Sequence, residues 1–157
     1  MSEAAVQDPV REYFQSVYGL KLEIARLTER VRTLQAQCEK MTTVLTGMPR
    51  GGSSDPERLM ALLADERAAL DARLLQAEGQ TREVEDFIAR LPDRLYREIL
   101  SRRYIDCLRW PKVLEKLQDQ GDYYEERQMF RLHGRALNAA RKLWEEEHTE
   151  AKTHDKG

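Results

Sequence analysis

The sequence predicts an all-α protein: a long antiparallel helical hairpin of coiled-coil type, followed by a small helix-turn-helix domain. Three observations carry that prediction. Apolar residues recur at alternating steps of four and three from Tyr13 to Leu45, and a second apolar series runs from Leu59 to Leu91. Asp8-Pro9, Asp55-Pro56 and Pro92-Asp93 each read as a helix start. The last third then carries two short apolar stripes ahead of one long helix with an apolar and a basic face. With 157 residues, 34% of them charged, and only 8 glycines and 5 prolines, the composition suits one elongated helical part and one small globular part.

The first helix opens at Asp8-Pro9, an acidic cap followed by a proline whose fixed φ suits a first turn, and Gly47 ends it. Between them Tyr13, Val17, Leu20, Ile24, Leu27, Val31, Leu34, Cys38, Met41 and Leu45 keep an unbroken heptad seam, the signature of a coiled coil rather than of an ordinary amphipathic face. At about 1.5 Å per residue the segment from Pro9 to Thr46 reaches roughly 57 Å and needs a partner of similar length. Residues 1–8 read as a flexible N-terminus.

That partner follows in the same chain. Asp55-Pro56 repeats the cap and the proline, and Leu59, Leu63, Leu70, Leu74, Ala77, Val84, Ile88 and Leu91 form a second seam. Glu66 interrupts it, and the step of four from Leu70 to Leu74 shifts its phase, a stutter that locally unwinds a supercoil. A short loop over 47–55, carrying Met48-Pro49-Arg50-Gly51-Gly52, lets the chain reverse into an antiparallel hairpin over 9–91. Leu62, Ala68, Ala69 and Leu75 are apolar beyond the needs of the seam. They predict a second interface, most simply a homodimer in which two hairpins make a four-helix bundle, the alternative being a seat for the DNA-binding module or RNA polymerase.

Residues 92–144 form the globular part. Pro92 ends one helix and Asp93 caps the next, whose inward stripe is Leu95, Ile99, Leu100 and the Tyr104-Ile105 pair. Asp106 to Arg109 is a short connection. Pro111 to Gln118 is a second short helix with Val113, Leu114 and Leu117 inward, and Gly121-Asp122 is a turn signal. From Glu125 to Trp144 the chain is helical again: Met129, Leu132, Ala136, Ala140, Leu143 and Trp144 recur at three- and four-residue steps, while Arg127, Arg131 and Arg135 recur every four on another stripe. Helix, short helix, turn and long basic helix is the plan of a helix-turn-helix, whose last helix enters the major groove of double-stranded DNA. Residues 145–157 read as a disordered polar tail.

Charge follows the same division. The chain is close to neutral, at a formal net charge of -2. Residues 94–144, however, carry twelve Lys and Arg against seven Asp and Glu, a balance of +5; residues 1–93 carry twelve against sixteen, and the tail two against five. Arg127, Gln128 and Arg131 stand at the front of the last helix, where arginine can take guanine O6 and N7 and glutamine can take adenine N6 and N7. Arg135, Asn138 and Lys142 farther back, with Lys112 and Arg103, are the candidate phosphate contacts.

The run from Leu91 to Leu143 resembles region 4 of sigma-70 type transcription factors, and nearly the whole chain resembles a prophage-type domain-of-unknown-function family that joins a long helical segment to such a module. The residues that carry it are Tyr104-Ile105-Asp106 with Trp110, the run Arg131-Leu132-His133-Gly134-Arg135-Ala136-Leu137, and Met48-Pro49-Arg50-Gly51-Gly52. The resemblance implies a phage or prophage transcription regulator in the cytoplasm of a bacterial host, acting near promoters together with host RNA polymerase. It does not imply a complete sigma factor, because heptads occupy the whole N-terminal half.

Other chemistry finds little footing. Cys38 and Cys107 are far apart, with no Cys-x-x-Cys or Cys/His ligand spacing, and Gly51-Gly52 lacks the following Lys-Ser/Thr of a phosphate loop. The expectation is a non-enzyme with no metal, cofactor, membrane or small-molecule substrate. Two alternatives stand beside the regulator. One is a protein-interaction adaptor whose coiled coil binds a partner, favoured by the long connection from Gln118 to Tyr124 and by the anionic Glu125-Glu126 pair. The other is a small terminase subunit that binds a DNA packaging site.

Overall fold

The computed structural model describes residues 8–45 and 56–154, and all the regular structure in them is helical. Helix α1 spans Pro9–Leu45, α2 Pro56–Ala89, α3 Arg94–Leu100, α4 Trp110–Asp119 and α5 Glu126–His154; α3 runs on into one π-turn over Ser101–Ile105. The predicted loop 47–55, the Asp55 cap and the side chain of Leu45 lie outside the described residues.

Local chemistry sets the helix ends. Asp8 Oδ1 accepts from the Arg11 amide at 3.3 Å, so the cap ahead of Pro9 forms as expected. At α3 the Asp93 carboxylate accepts from the amides of Leu95 at 2.8 Å and Tyr96 at 3.2 Å. Arg97 Nη1 reaches back to the Pro92 carbonyl at 3.0 Å. Beyond the π-turn, Cys107 takes a left-handed φ of 57°, and Leu108 N–H closes onto the Arg102 carbonyl at 3.1 Å.

The chain forms two compact units, Gly19–Gly79 and the combination of Met1–Tyr18 with Gln80–Gly157. The division falls inside α1 and α2. In the unit over residues 19–79 the two helices run antiparallel. Arg30 Nε meets Glu66 Oε1 at 3.0 Å, Arg73 Nε meets Glu23 Oε2 at 3.3 Å, and Arg67 Nη2 donates to Gln35 Oε1 at 3.2 Å. Val31 and Leu63 are buried, and Leu20, Ile24, Leu27, Leu34, Cys38, Met41, Leu59, Leu70 and Ala77 are half-buried.

Leu74 departs from the predicted seam, being 47% exposed. Between residues 59 and 77 the covered positions on α2 are 59, 63, 66, 70, 73 and 77, an uninterrupted alternation of four and three. Glu66 and Arg73 thus occupy seam positions. Their charged ends reach Arg30 and Glu23. The stutter inferred from Leu70 and Leu74 is absent from this segment, because the heptad continues through polar residues.

In the other unit Val10, Phe14 and Val17 of α1 and Val84, Phe87, Ile88 and Leu91 at the end of α2 share one core with Leu100, Tyr104, Ile105, Ala136, Leu137 and Ala140. Aromatic rings fill its centre: Phe14 and Phe87 lie 5.8 Å apart, Tyr13 and Trp144 5.0 Å, and Phe87 and Trp144 5.9 Å. Gln80 Nε2 donates to Ser16 Oγ at 2.8 Å. A smaller core joins Ile99, Val113, Leu117 and Met129, tying α3 and α4 to the start of α5.

The predicted disordered tail is corrected for residues 145–154, which continue α5. Extending a formed helix costs little, and the added turns make tertiary contacts. Arg90 Nε and Nη2 take both oxygens of Glu147, at 2.6 and 3.0 Å, and the His148 ring stacks on Trp144 at 4.2 Å.

Candidate nucleic-acid interface

The start of α5 is set by the turn before it. The amide of Asp122 closes onto the Leu117 carbonyl at 2.9 Å and that of Gly121 onto Gln118 at 2.9 Å, with Gly121 at φ 92°; this is a Schellman ending that only glycine takes without strain. Arg94 Nη2 holds the Asp122 carboxylate at 3.3 Å. Glu125 then stands at the N-cap position: its carbonyl accepts the Met129 amide at 3.0 Å, and its own amide donates to Gln128 Oε1 at 2.9 Å. Gln128, predicted to read adenine, is thereby used as half of a capping box.

Helix α5 buries Met129, Ala136, Leu137 and Ala140. On a face turned away from them lie Arg127, Arg131, Arg135, Asn138 and Lys142, all exposed, at steps of four, four, three and four. At 100° per residue these five positions fall within about a quarter-turn of one another. Arg127, Arg131, Arg135 and Lys142 form no ion pair among the described residues. They make a stripe of unneutralised cations.

The remaining predicted contacts are otherwise engaged. Arg103 is half-buried; its Nη1 donates to the Leu108 carbonyl at 2.9 Å and its guanidinium lies 4.8 Å from the Trp110 ring centre. It pins the connection into α4. Lys112 is exposed on the first turn of α4, with Nζ 3.1 Å from Glu115. Asn138 Oδ1 accepts from Arg141, and Arg141 Nε in turn holds Asp8 at 3.0 Å. That second hydrogen bond is the main cause holding the Asp8 carboxyl below its ordinary value.

Behind the stripe lies a polar-aromatic group. The Tyr104 hydroxyl is 2.8 Å from His133 Nε2, and the Trp110 ring meets His133 at 4.6 Å and Phe130 at 5.6 Å, both edge to face. Burial depresses the His133 pKa to about 4, and the charges of Arg11, Arg103 and Arg141 add to it. The imidazole is therefore neutral at pH 7, so Nε2 can accept the Tyr104 proton. Phe130 remains 47% exposed at the edge of the basic stripe. The sequence signals the stripe but not the Arg141–Asp8 link, whose partners lie 133 residues apart.

Among the described residues no group of three or more His, Cys, Asp or Glu is arranged to hold a metal, and no helix is long and apolar enough to cross a membrane. The chain matches no protein-family model, no curated protein and no solved structure.

Proposed function

We propose that the protein is a sequence-specific DNA-binding transcription regulator of phage or prophage type. In this reading α4 and α5 are the two helices of a sigma-70 region 4-like helix-turn-helix, and residues 19–79 bring two copies together. The single observation that carries it is the α5 stripe. Arg127, Arg131, Arg135 and Lys142 are exposed on one face without ion-pair partners among the described residues, on a helix whose opposite face is locked into two cores. A row of unneutralised cations on a rigid helix suits a polyanion. Arg127 and Arg131 stand nearest the helix start, where base edges are read, and Arg135 and Lys142 stand behind them, where phosphates pass. Host RNA polymerase as a further partner rests on the sigma-factor resemblance alone.

A second reading, an adaptor that binds another protein, is favoured by the exposed Leu62, Leu74 and Leu75 of α2 and by the internal engagement of Gln128. Selection of bound fragments from a genomic or random DNA pool separates the two, with an Arg127→Ala/Arg131→Ala variant run in parallel. A recovered motif that the variant fails to enrich is the expected outcome. Absence of enrichment by folded wild-type protein would favour the adaptor.

A further inference from the structure

Gly134 lies in the interior of α5, exposed, with an ordinary helical φ, and a Cβ built there meets nothing within 4 Å. Nothing inside the chain requires the missing side chain. Glycine in a helix interior is nonetheless unfavourable relative to alanine, since it leaves more backbone entropy to lose and exposes the backbone to water. Any benefit of the missing methyl must therefore come from outside the molecule.

The surroundings of Gly134 indicate what that is. Its neighbours on the helix surface, at three, four and seven residues, include Phe130, Arg131, Asn138, Arg127 and Arg141, and Arg135 follows it directly. No carboxylate is among them. Gly19 and Gly79 are also exposed helical glycines with open Cβ positions, but Glu23 stands four residues after the first and Glu83 four after the second. Among the described helical glycines, Gly134 alone has its bare backbone bracketed by cations and by an exposed ring.

Resting on the DNA-binding reading above, we propose that Gly134 is the point of closest approach between α5 and nucleic acid. A phosphodiester strand packs against the bare backbone there, with Arg135 on its phosphates and the Phe130 ring against the adjoining sugar. A side chain at this position would hold the strand away, so that the Arg135 guanidinium reaches phosphate at greater distance. Gly134 is then a positioning residue that acts through its lack of bulk.

The test compares wild type, Gly134→Ala, Gly134→Leu and Arg127→Ala/Arg131→Ala for binding to a short mixed-sequence DNA duplex at low salt, with thermal melts of each protein. Alanine and leucine are good helix formers facing open space, so both glycine variants should melt above wild type. They should nevertheless bind more weakly, about tenfold for alanine, the size of one lost charge-assisted contact, and more for leucine. Wild-type affinity in both glycine variants, with binding lost in the arginine variant, would overturn the close approach and leave the DNA reading standing. A drop in affinity accompanied by a lower melting temperature would overturn it too, because the loss would then come through folding. If folded wild type does not bind the duplex at all, the DNA reading fails and this inference with it.

Discussion

At His133 the packing of α5 fixes a protonation state. The imidazole is neutral in the folded chain, with its pKa pressed to about 4 by burial and by the nearby guanidiniums, against 6.5 for a free histidine. Between those values the unfolded chain binds a proton that the folded chain refuses, so acid favours unfolding. The stability tied to His133 is complete above pH 6.5 and declines as the pH falls towards 4, by on the order of 2–3 kcal/mol once solvent screening of the partly exposed ring is discounted. Replacing His133 with glutamine, which keeps an acceptor for Tyr104, should flatten this part of the pH profile in thermal melts. An unchanged profile in the variant would place the titrating group elsewhere. The histidine is plain in the sequence, but its neutrality is not, since that depends on Tyr104 and Trp110 arriving from other helices. The same holds for the candidate contacts: the sequence offers Arg103 and Arg131 as equal cations, and only packing shows that Arg103 is committed to Leu108 and Trp110.

Along α2 the heptad tolerates polar residues at covered positions. Following leucines leads from Leu70 to Leu74, yet Leu74 is exposed and Arg73 holds the covered position. Leucine is the stronger sequence signal, while the geometry asks only for a stem long enough to fill the hole. Glu66–Arg30 and Arg73–Glu23 lie seven residues apart on both strands of the hairpin, so each heptad of this stretch carries one polar rung. Exposed pairs of this kind contribute about 1 kcal/mol or less, and their larger effect is on register, since a slipped pairing leaves the charges on the seam unmatched. The double variant Glu66→Leu/Arg73→Leu should therefore melt at a higher temperature but give mixed species in light scattering. A single species identical in mass to wild type would show that the rungs do not specify the pairing. The helix starts at Asp8 and Asp93 and the glycine turn at 121 were legible because capping is local chemistry. The end of α5 was not, since Glu147 is held by Arg90, 57 residues away.

For the molecule as a whole, a net charge of -2 conceals a basic segment over 94–144, and this asymmetry was legible from composition. Less legible was the membership of the compact units: Phe14 and Phe87 are fully buried beside Tyr104 and Ala136, so the ends of the two long helices share a core with α5. A short globular segment gains apolar surface in this way that it could not bury alone. The proposed DNA-binding role of the α5 stripe is tested by equilibrium binding to a duplex across a range of salt, for wild type and for Arg127→Ala/Arg131→Ala. Arg135 and Lys142 on phosphates predict a slope of log affinity against log salt of roughly -2 for wild type, and loss of the base-reading arginines should lower the affinity with little change of slope. Equal affinity in the two proteins, or no binding by folded wild type at low salt, would contradict it.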